Sequence, residues 1–219
     1  MGANFNVVDF AIKLAVILFA ISFHESAHAW MALKFGDSTA KDLGRISLNP
    51  IRHIDPFGSI VLPILLYFSS GLLFGYAKPT PVRLEQTKNP RLADLAVSAA
   101  GPLSNVLLAI VGVLGLIVLQ RVSPGEQVQQ SVMAPIVQVA LAFVTINVGL
   151  GVFNLIPIPP LDGSWVLAAV LGEPARIFFQ QIGRFGFLIL LVLSYTGILG
   201  RIMSPVMNVI FAIIRAALA

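Results

Sequence analysis

The chain has no cysteine, which removes disulfides, thiolate metal sites and cysteine nucleophiles together. Charge is nearly as scarce. Fourteen Lys and Arg plus ten Asp and Glu make 11% of 219 residues, where an ordinary soluble domain carries about 25%. With 57% hydrophobic side chains and a mean hydropathy of +0.90, too little polar surface is left to coat a globule in water. Soluble enzymes, disordered segments, collagen-like repeats and coiled coils are excluded on that ground. The chain belongs in a bilayer, and any metal it holds must be held by His, Asp or Glu. Its net charge of +4 is better spent orienting loops at a membrane than on a nucleic acid, which is not expected as a partner.

A spanning helix needs about 20 mostly apolar residues. Five stretches pass: 7 to 33, 95 to 119, 132 to 153, and two between 177 and 219 divided around 197 to 201. The first is too long, and too polar at its far end, for a cleaved signal peptide. A sixth apolar stretch, 57 to 74, is interrupted by Gly58, Pro63 and Gly71. It lies between two basic loops, one with Lys34, Lys41, Arg45 and Arg52, the other with Lys78, Arg83, Lys88 and Arg91. If both loops are cytoplasmic, 57 to 74 enters and leaves on one side as a re-entrant or packed hairpin. Residues 38 to 54 alternate loosely around Gly44 and Pro50 and are expected as a short strand pair near the helix mouths. No repeat or long soluble appendage is visible. The expected fold is an all-α polytopic membrane protein with five to six transmembrane helices and a short membrane-associated β element, in one domain over 1–219.

An ionisable side chain at the centre of a membrane helix costs about 2.5 to 3.5 kcal/mol even on lenient scales, so each needs a reason. His24, Glu25 and His28 crowd into five positions as HESAH. The i, i+4 spacing stacks two imidazoles on one helix face, where two nitrogens can grip one ion. Glu25, turned by about 100° from His24, can instead reach a water at that ion. A catalytic zinc takes three protein ligands and keeps a fourth position open. The candidates for the third are His53, Asp94, Asp162 and Glu173. His53 reads equally well as a loop histidine beside Asp55, Asp94 as a partner of a helix dipole, and Glu173 as a helix-end residue. Asp162 lies in NLIPIPPLDGSW, where three prolines forbid a continuous helix directly after an apolar span. Irregular backbone at membrane depth is tolerated where it lines a wet cavity, which makes that carboxylate a site residue. Asn154, eight positions earlier, could hold a carbonyl or oxyanion; alternatively both residues merely cap broken helix ends.

HESAH, GPLSN (residues 101 to 105) and NLIPIPPLDG (154 to 163), with LNPIRHIDPFG and GYAKPTPV (75 to 82), resemble the site-2 protease family, peptidase M50. The closest pattern is its short bacterial and archaeal branch without a PDZ domain, and the likeness covers roughly residues 20 to 165. The resemblance implies one Zn2+ per chain held by His24, His28 and Asp162, with Glu25 as general base and Asn154 at the oxyanion. It implies a catalytic core over about 7–172, with the C-terminal helices over about 175–219 lying outside the motifs. His53, Gly75, Tyr76, Ala77, Lys78 and Asn105 fall at substrate or accessory positions, the 75 to 82 segment matching a strand thought to pair with unwound substrate. The expected reaction is hydrolysis of peptide bonds in or near transmembrane segments, as in regulated intramembrane proteolysis. Substrates would be single-span proteins such as anti-sigma factors, membrane-tethered regulators or remnant signal peptides. The enzyme would sit in a bacterial or archaeal cytoplasmic membrane with its site toward the cytoplasm. A metal transporter predicts polar sites strung across the bilayer, and a zinc-stapled scaffold leaves Glu25 without a task; both fit the residues less well.

Overall fold

The computed structural model describes residues 6–61, 64, 76–122 and 134–218. Helix α1 (Val7–Lys34) starts where Asn6 Oδ1 accepts the N–H groups of Val8 and Asp9 at 3.0 and 3.1 Å, filling two of the donors that a helix start leaves open. Its 28 residues span about 42 Å, more than the roughly 30 Å of hydrocarbon, so its ends reach past the bilayer core. A short α2 (Thr39–Asp42) follows. Helix α3 (Pro90–Val122) opens with a proline, whose missing N–H costs nothing there, and Asn89 Oδ1 accepts from the Leu92 N–H. Helix α4 (Ala134–Asn154) is followed by a proline-rich turn, then α5 (Asp162–Leu171), α6 (Glu173–Gly183), α7 (Gly186–Tyr195) and α8 (Ile198–Leu218).

Helices α1, α3 and α4 pack on one another and α5 packs on α3. The seams are lined by small residues: Ala20, Ala29, Ala32, Ala93 and Ala100 are all buried. Lipid tails are as apolar as leucine, so close backbone approach, not exclusion of apolar surface, joins helices in a membrane. The outward face of α3 carries exposed Leu103, Leu107, Ile110, Leu114 and Val118, an apolar stripe suited to lipid. Helix α8 touches α4 through Met207, Ile210, Phe211 and Ile214.

Four helices, α1, α3, α4 and α8, are long and apolar enough to cross a membrane, and α6 with α7 would be a fifth if that pair, bent by 72°, is one span. The expected single span beginning near 177 is therefore broken. Gln180, Gln181 and Arg184 make its first half too polar for hydrocarbon. At the bend, Gly186 lies so close to the Pro159 carbonyl that a Cβ would collide with it.

The expected β element is not found: the described residues contain no strand. Between 38 and 54 the chain instead forms α2 and a single turn over Pro50–Arg52. Local side chains win that competition, since Asp37 Oδ1 accepts from the Thr39 N–H and Asn49 Oδ1 from the Ile51 N–H. Gly44 at φ 68° turns the chain between them. Residues 76 to 83 have no regular secondary structure. Most of the expected hairpin at 57 to 74, and Gly75, lie outside the described residues; Pro56–Val61 forms one wide helical turn.

Candidate metal centre

The histidines of HESAH fall on the inner face of α1, both buried. Asp162 is brought to them by the turn after α4, whose irregular backbone satisfies itself. The Leu155 N–H bonds to the Gly151 carbonyl, Ile156 to Phe153, Ile158 to Ile156 and Leu161 to Ile158. This is what allows a non-helical segment among spanning helices. Gly163 permits the closure, because a Cβ there would strike the Leu155 and Ile156 carbonyls. Asp162 is the first residue of α5, where a carboxylate also meets the positive end of the helix.

The three side chains converge. His24 Nε2 and His28 Nε2 are 3.0 Å apart; Asp162 Oδ2 is 3.0 Å from His24 Nε2, and Oδ1 is 3.4 Å from His28 Nε2. Among the described residues this is the one group of three acidic, His or Cys side chains placed to hold a metal ion. The outer nitrogens decide what fills it. His24 Nδ1 is 2.7 Å from Asn105 Oδ1, and His28 Nδ1 is 2.7 Å from the Val97 carbonyl. Both partners are acceptors, so both Nδ1 atoms carry the proton and both Nε2 atoms present lone pairs. Asp162 Oδ2 likewise has no hydrogen-bond donor. Three lone-pair atoms facing one another in a buried site repel unless a cation sits between them. Ligands at 2.0–2.1 Å in a tetrahedron stand about 3.3 Å apart, close to the separations here. The donor set fits zinc.

The orientation of Asn105 is itself fixed. Its Nδ2 donates to Asn147 Oδ1 at 3.0 Å, and Asn147 Nδ2 donates to the Phe143 carbonyl at 2.8 Å. Both amides are fully buried. A histidine ligand held from behind in this way keeps its ring plane and tautomer. Gly101 lets α3 come near enough, since a Cβ built on it would overlap the Nε2 atoms of both histidines.

Glu25 points to a different neighbour. Its Oε2 accepts from the Thr80 N–H at 3.0 Å and from Thr80 Oγ1 at 2.7 Å. The other sequence candidates for a third ligand are elsewhere. His53 is buried, with Nε2 2.7 Å from the Ser47 carbonyl. Asp94 pairs with Arg176 at 3.3 Å, and Glu173 begins α6. Asn154 ends α4 with its amide donating to the Leu150 carbonyl of the same helix at 3.1 Å. Tyr76 and Lys78 donate backbone N–H groups to the Gly58 and His53 carbonyls, and Ala77 between them is buried. Sequence reasoning passed over Asn147, and it quoted Gly101 and Thr80 only within the GPLSN and GYAKPTPV motifs, without a role of their own. An amide within the apolar α4 was the available signal for Asn147; Thr80 and Gly101 depend on contacts between distant segments.

The sequence matches the family described as Peptidase family M50 over residues 12–137 and 126–194. It is 38% identical over 195 residues, 88% of this chain and 85% of the other, to "Putative zinc metalloprotease YwhC" of Bacillus subtilis. A protein of the same descriptive name, Rip2 of Mycolicibacterium smegmatis, is 31% identical over 88% of this chain and 70% of its own. The similarly named MJ0611 of Methanocaldococcus jannaschii is 26% identical over 78% of this chain and 80% of its own. No solved structure matches the chain.

Proposed function

Since the chain belongs to peptidase family M50 and is a zinc metalloprotease with several membrane-spanning helices, we propose that it cuts other membrane proteins within or beside their transmembrane segments. The observation that carries the reading is the ring of three lone-pair atoms from His24, His28 and Asp162, set among helices that face lipid. His24, His28 and Asp162 would hold the zinc. When bound, the ion supplies a Lewis acid that polarises the scissile carbonyl and makes a water proton easier to remove.

The chain's own residues do the rest. Glu25 is the general base: its carboxylate takes the proton of the attacking water and returns it to the leaving amine. Asn154 stands at the end of α4, eight positions before Asp162, and its amide serves the developing oxyanion once it leaves the Leu150 carbonyl. A transmembrane helix hides its carbonyls in internal hydrogen bonds, so the substrate must unwind before attack. The 76–80 segment suits a strand partner. Alternate N–H groups, from Tyr76, Lys78 and Thr80, are spent inward, the period-2 pattern of an extended chain. The opposite edge leaves a substrate strand the Ala77 N–H and carbonyl acceptors, since Pro79 and Pro81 have no N–H.

The substrate class is single-span membrane proteins, such as anti-sigma factors, tethered regulators or remnant signal peptides, cut in regulated intramembrane proteolysis. Lys34, Lys41, Arg45 and Arg52 follow the HESAH end of α1, which supports a site on the cytoplasmic side of a bacterial or archaeal membrane. The test compares the membrane proteomes of cells carrying wild type or E25Q. Single-span proteins should accumulate uncut with E25Q, whose zinc content stays that of wild type. Equal cleavage by both would end the assignment of Glu25, and an unchanged zinc content in D162A would end that of Asp162.

A further inference from the structure

The catalytic proposal gives the Thr80 side chain no role, yet the Thr80 hydroxyl and N–H both bond to Glu25 Oε2. We propose that Thr80 is a positioning residue for the Glu25 carboxylate, delivered by a strap, residues 76 to 81, that is built to bring one donor pair to that point. The inference rests on the reading of Glu25 as the base.

The sequence of the strap limits what it can do. Thr80 stands between Pro79 and Pro81, neither of which has an N–H. The Thr80 N–H is therefore the one backbone donor from 79 to 81, and it goes to Glu25 Oε2 at 3.0 Å. The hydroxyl adds a second bond to the same oxygen at 2.7 Å. A hydroxyl has one proton, so its longer 3.1 Å approach to the Glu25 backbone carbonyl is the weaker alternative. Among the described residues Glu25 Oε1 makes no hydrogen bond. One carboxylate oxygen is fixed and the other is left for a water proton.

The strap is anchored before it reaches Glu25. The Tyr76 N–H donates to the Gly58 carbonyl at 3.0 Å, and the Lys78 N–H to the His53 carbonyl at 2.9 Å. The Tyr76 carbonyl accepts from Ser59 Oγ at 2.8 Å. His53 is fixed in turn: its Nε2 and the Ser26 hydroxyl meet at the Ser47 carbonyl, at 2.7 and 2.6 Å. Ser26 is the residue after Glu25 on α1. The path from Glu25 through Ser26, Ser47, His53, Lys78 and Thr80 thus returns to Glu25 and sets the strap against the same helical turn that carries the base. A base held in this way keeps its angle to the reacting water, and misplacement by about 1 Å is enough to slow such a step by up to about a hundredfold.

The experiment uses the purified full chain with zinc in detergent and three variants, T80V, T80S and E25Q. Cleavage is read on a quenched-fluorescence peptide with one apolar span interrupted by Asn-Gly. The Glu25 carboxylate stretch is read by infrared spectroscopy as the difference between wild type and E25Q. T80V is expected to lower kcat about tenfold with KM within about twofold, the split of an interaction made in the transition state. Its zinc content should be unchanged and its Glu25 band displaced. T80S, which keeps the hydroxyl, should recover most of kcat and the wild-type band. A T80V kcat equal to or above wild type, or an undisplaced band, overturns the proposal. The band needs no substrate, so it decides the geometry whether or not the peptide is cut. A cleaving E25Q overturns the assignment of the base itself, a result distinct from a T80V that matches wild type while E25Q is inactive.

Discussion

The helices that surround the metal ligands and the last helix of the chain, α8, are all apolar enough to cross a membrane but are built by different rules. Around the site, α1, α3 and α4 meet across small residues and buried amides: Ala20, Ala100, Gly101, Asn105 and Asn147. At the C-terminal end, α8 has none of its spanning window buried and meets α4 through large flexible side chains. The difference shows where the structure is over-determined. A polar group away from water must find its partner at one place, and a glycine seam admits one distance, whereas apolar side chains facing lipid tolerate many arrangements.

The largest expected effect breaks the first region with one methyl group. G101A puts a Cβ on the Nε2 atoms of His24 and His28. Either α3 retreats or the imidazoles turn, and in both cases the lone pairs no longer converge. Zinc content by elemental analysis should fall to background and cleavage should disappear, while the variant still accumulates in the membrane. A zinc-replete G101A would show that the seam is looser than its geometry implies.

N105L is the next step down. It removes the acceptor at His24 Nδ1 and leaves Asn147 without its donor. Loss of such a support behind a ligand typically costs 10–100-fold in metal affinity. Competition against a zinc chelator measures it, and N147L should show a smaller loss of the same kind because it acts through Asn105.

Much of this was legible beforehand, and the reason lies in the same contrast. HESAH and the LDG turn could be read because ionisable residues and prolines are costly in apolar helices, so the few that occur stand out. Asn105 was singled out through its GPLSN motif. The strand pair at 38 to 54 was misread because alternation of apolar residues also suits a coil in which Asp37, Asn49 and Ser47 bond to nearby backbone. The bend before Gly186 was missed because hydropathy averages over a window, while the close approach of Gly186 to the Pro159 carbonyl is a single contact between distant segments. Thr80 could not be found from spacing: 55 residues separate it from Glu25, and nothing local in P-T-P names the carboxylate it meets.

A third test falls outside the bilayer, where the strap leaves the site. Buried Asp37 accepts from the Thr39 N–H at 2.9 Å and from the Arg83 N–H, joining the end of α1 to the chain beyond the strap. Burial opposes its ionisation, but these donors prevail and hold its carboxyl below the usual carboxylate range. A depressed folded-state pKa means stability that is present above the unfolded value of 3.8 and is lost as pH falls through the lower folded value. D37A should cost about 2 kcal/mol near neutral pH, the worth of hydrogen bonds to a charged group. The gap in thermal midpoint between wild type and D37A should narrow as pH falls below about 4. A gap that widens there would contradict the sign.

The smallest expected effect repeats the glycine substitution in the other region. Gly200 lies in the first turn of α8, and a Cβ built there meets nothing within 4 Å. G200A therefore adds the same methyl group as G101A without a collision, and alanine is the better helix former by up to about 1 kcal/mol. Zinc content and kcat should match wild type, and the thermal midpoint in detergent should be unchanged or slightly raised. A loss of activity in G200A would mean that α8 is packed against something the isolated chain does not include, such as a substrate helix entering beside α4. Two identical chemical changes, one silent and one fatal, would then cease to separate a fixed catalytic seam from a free lipid-facing one.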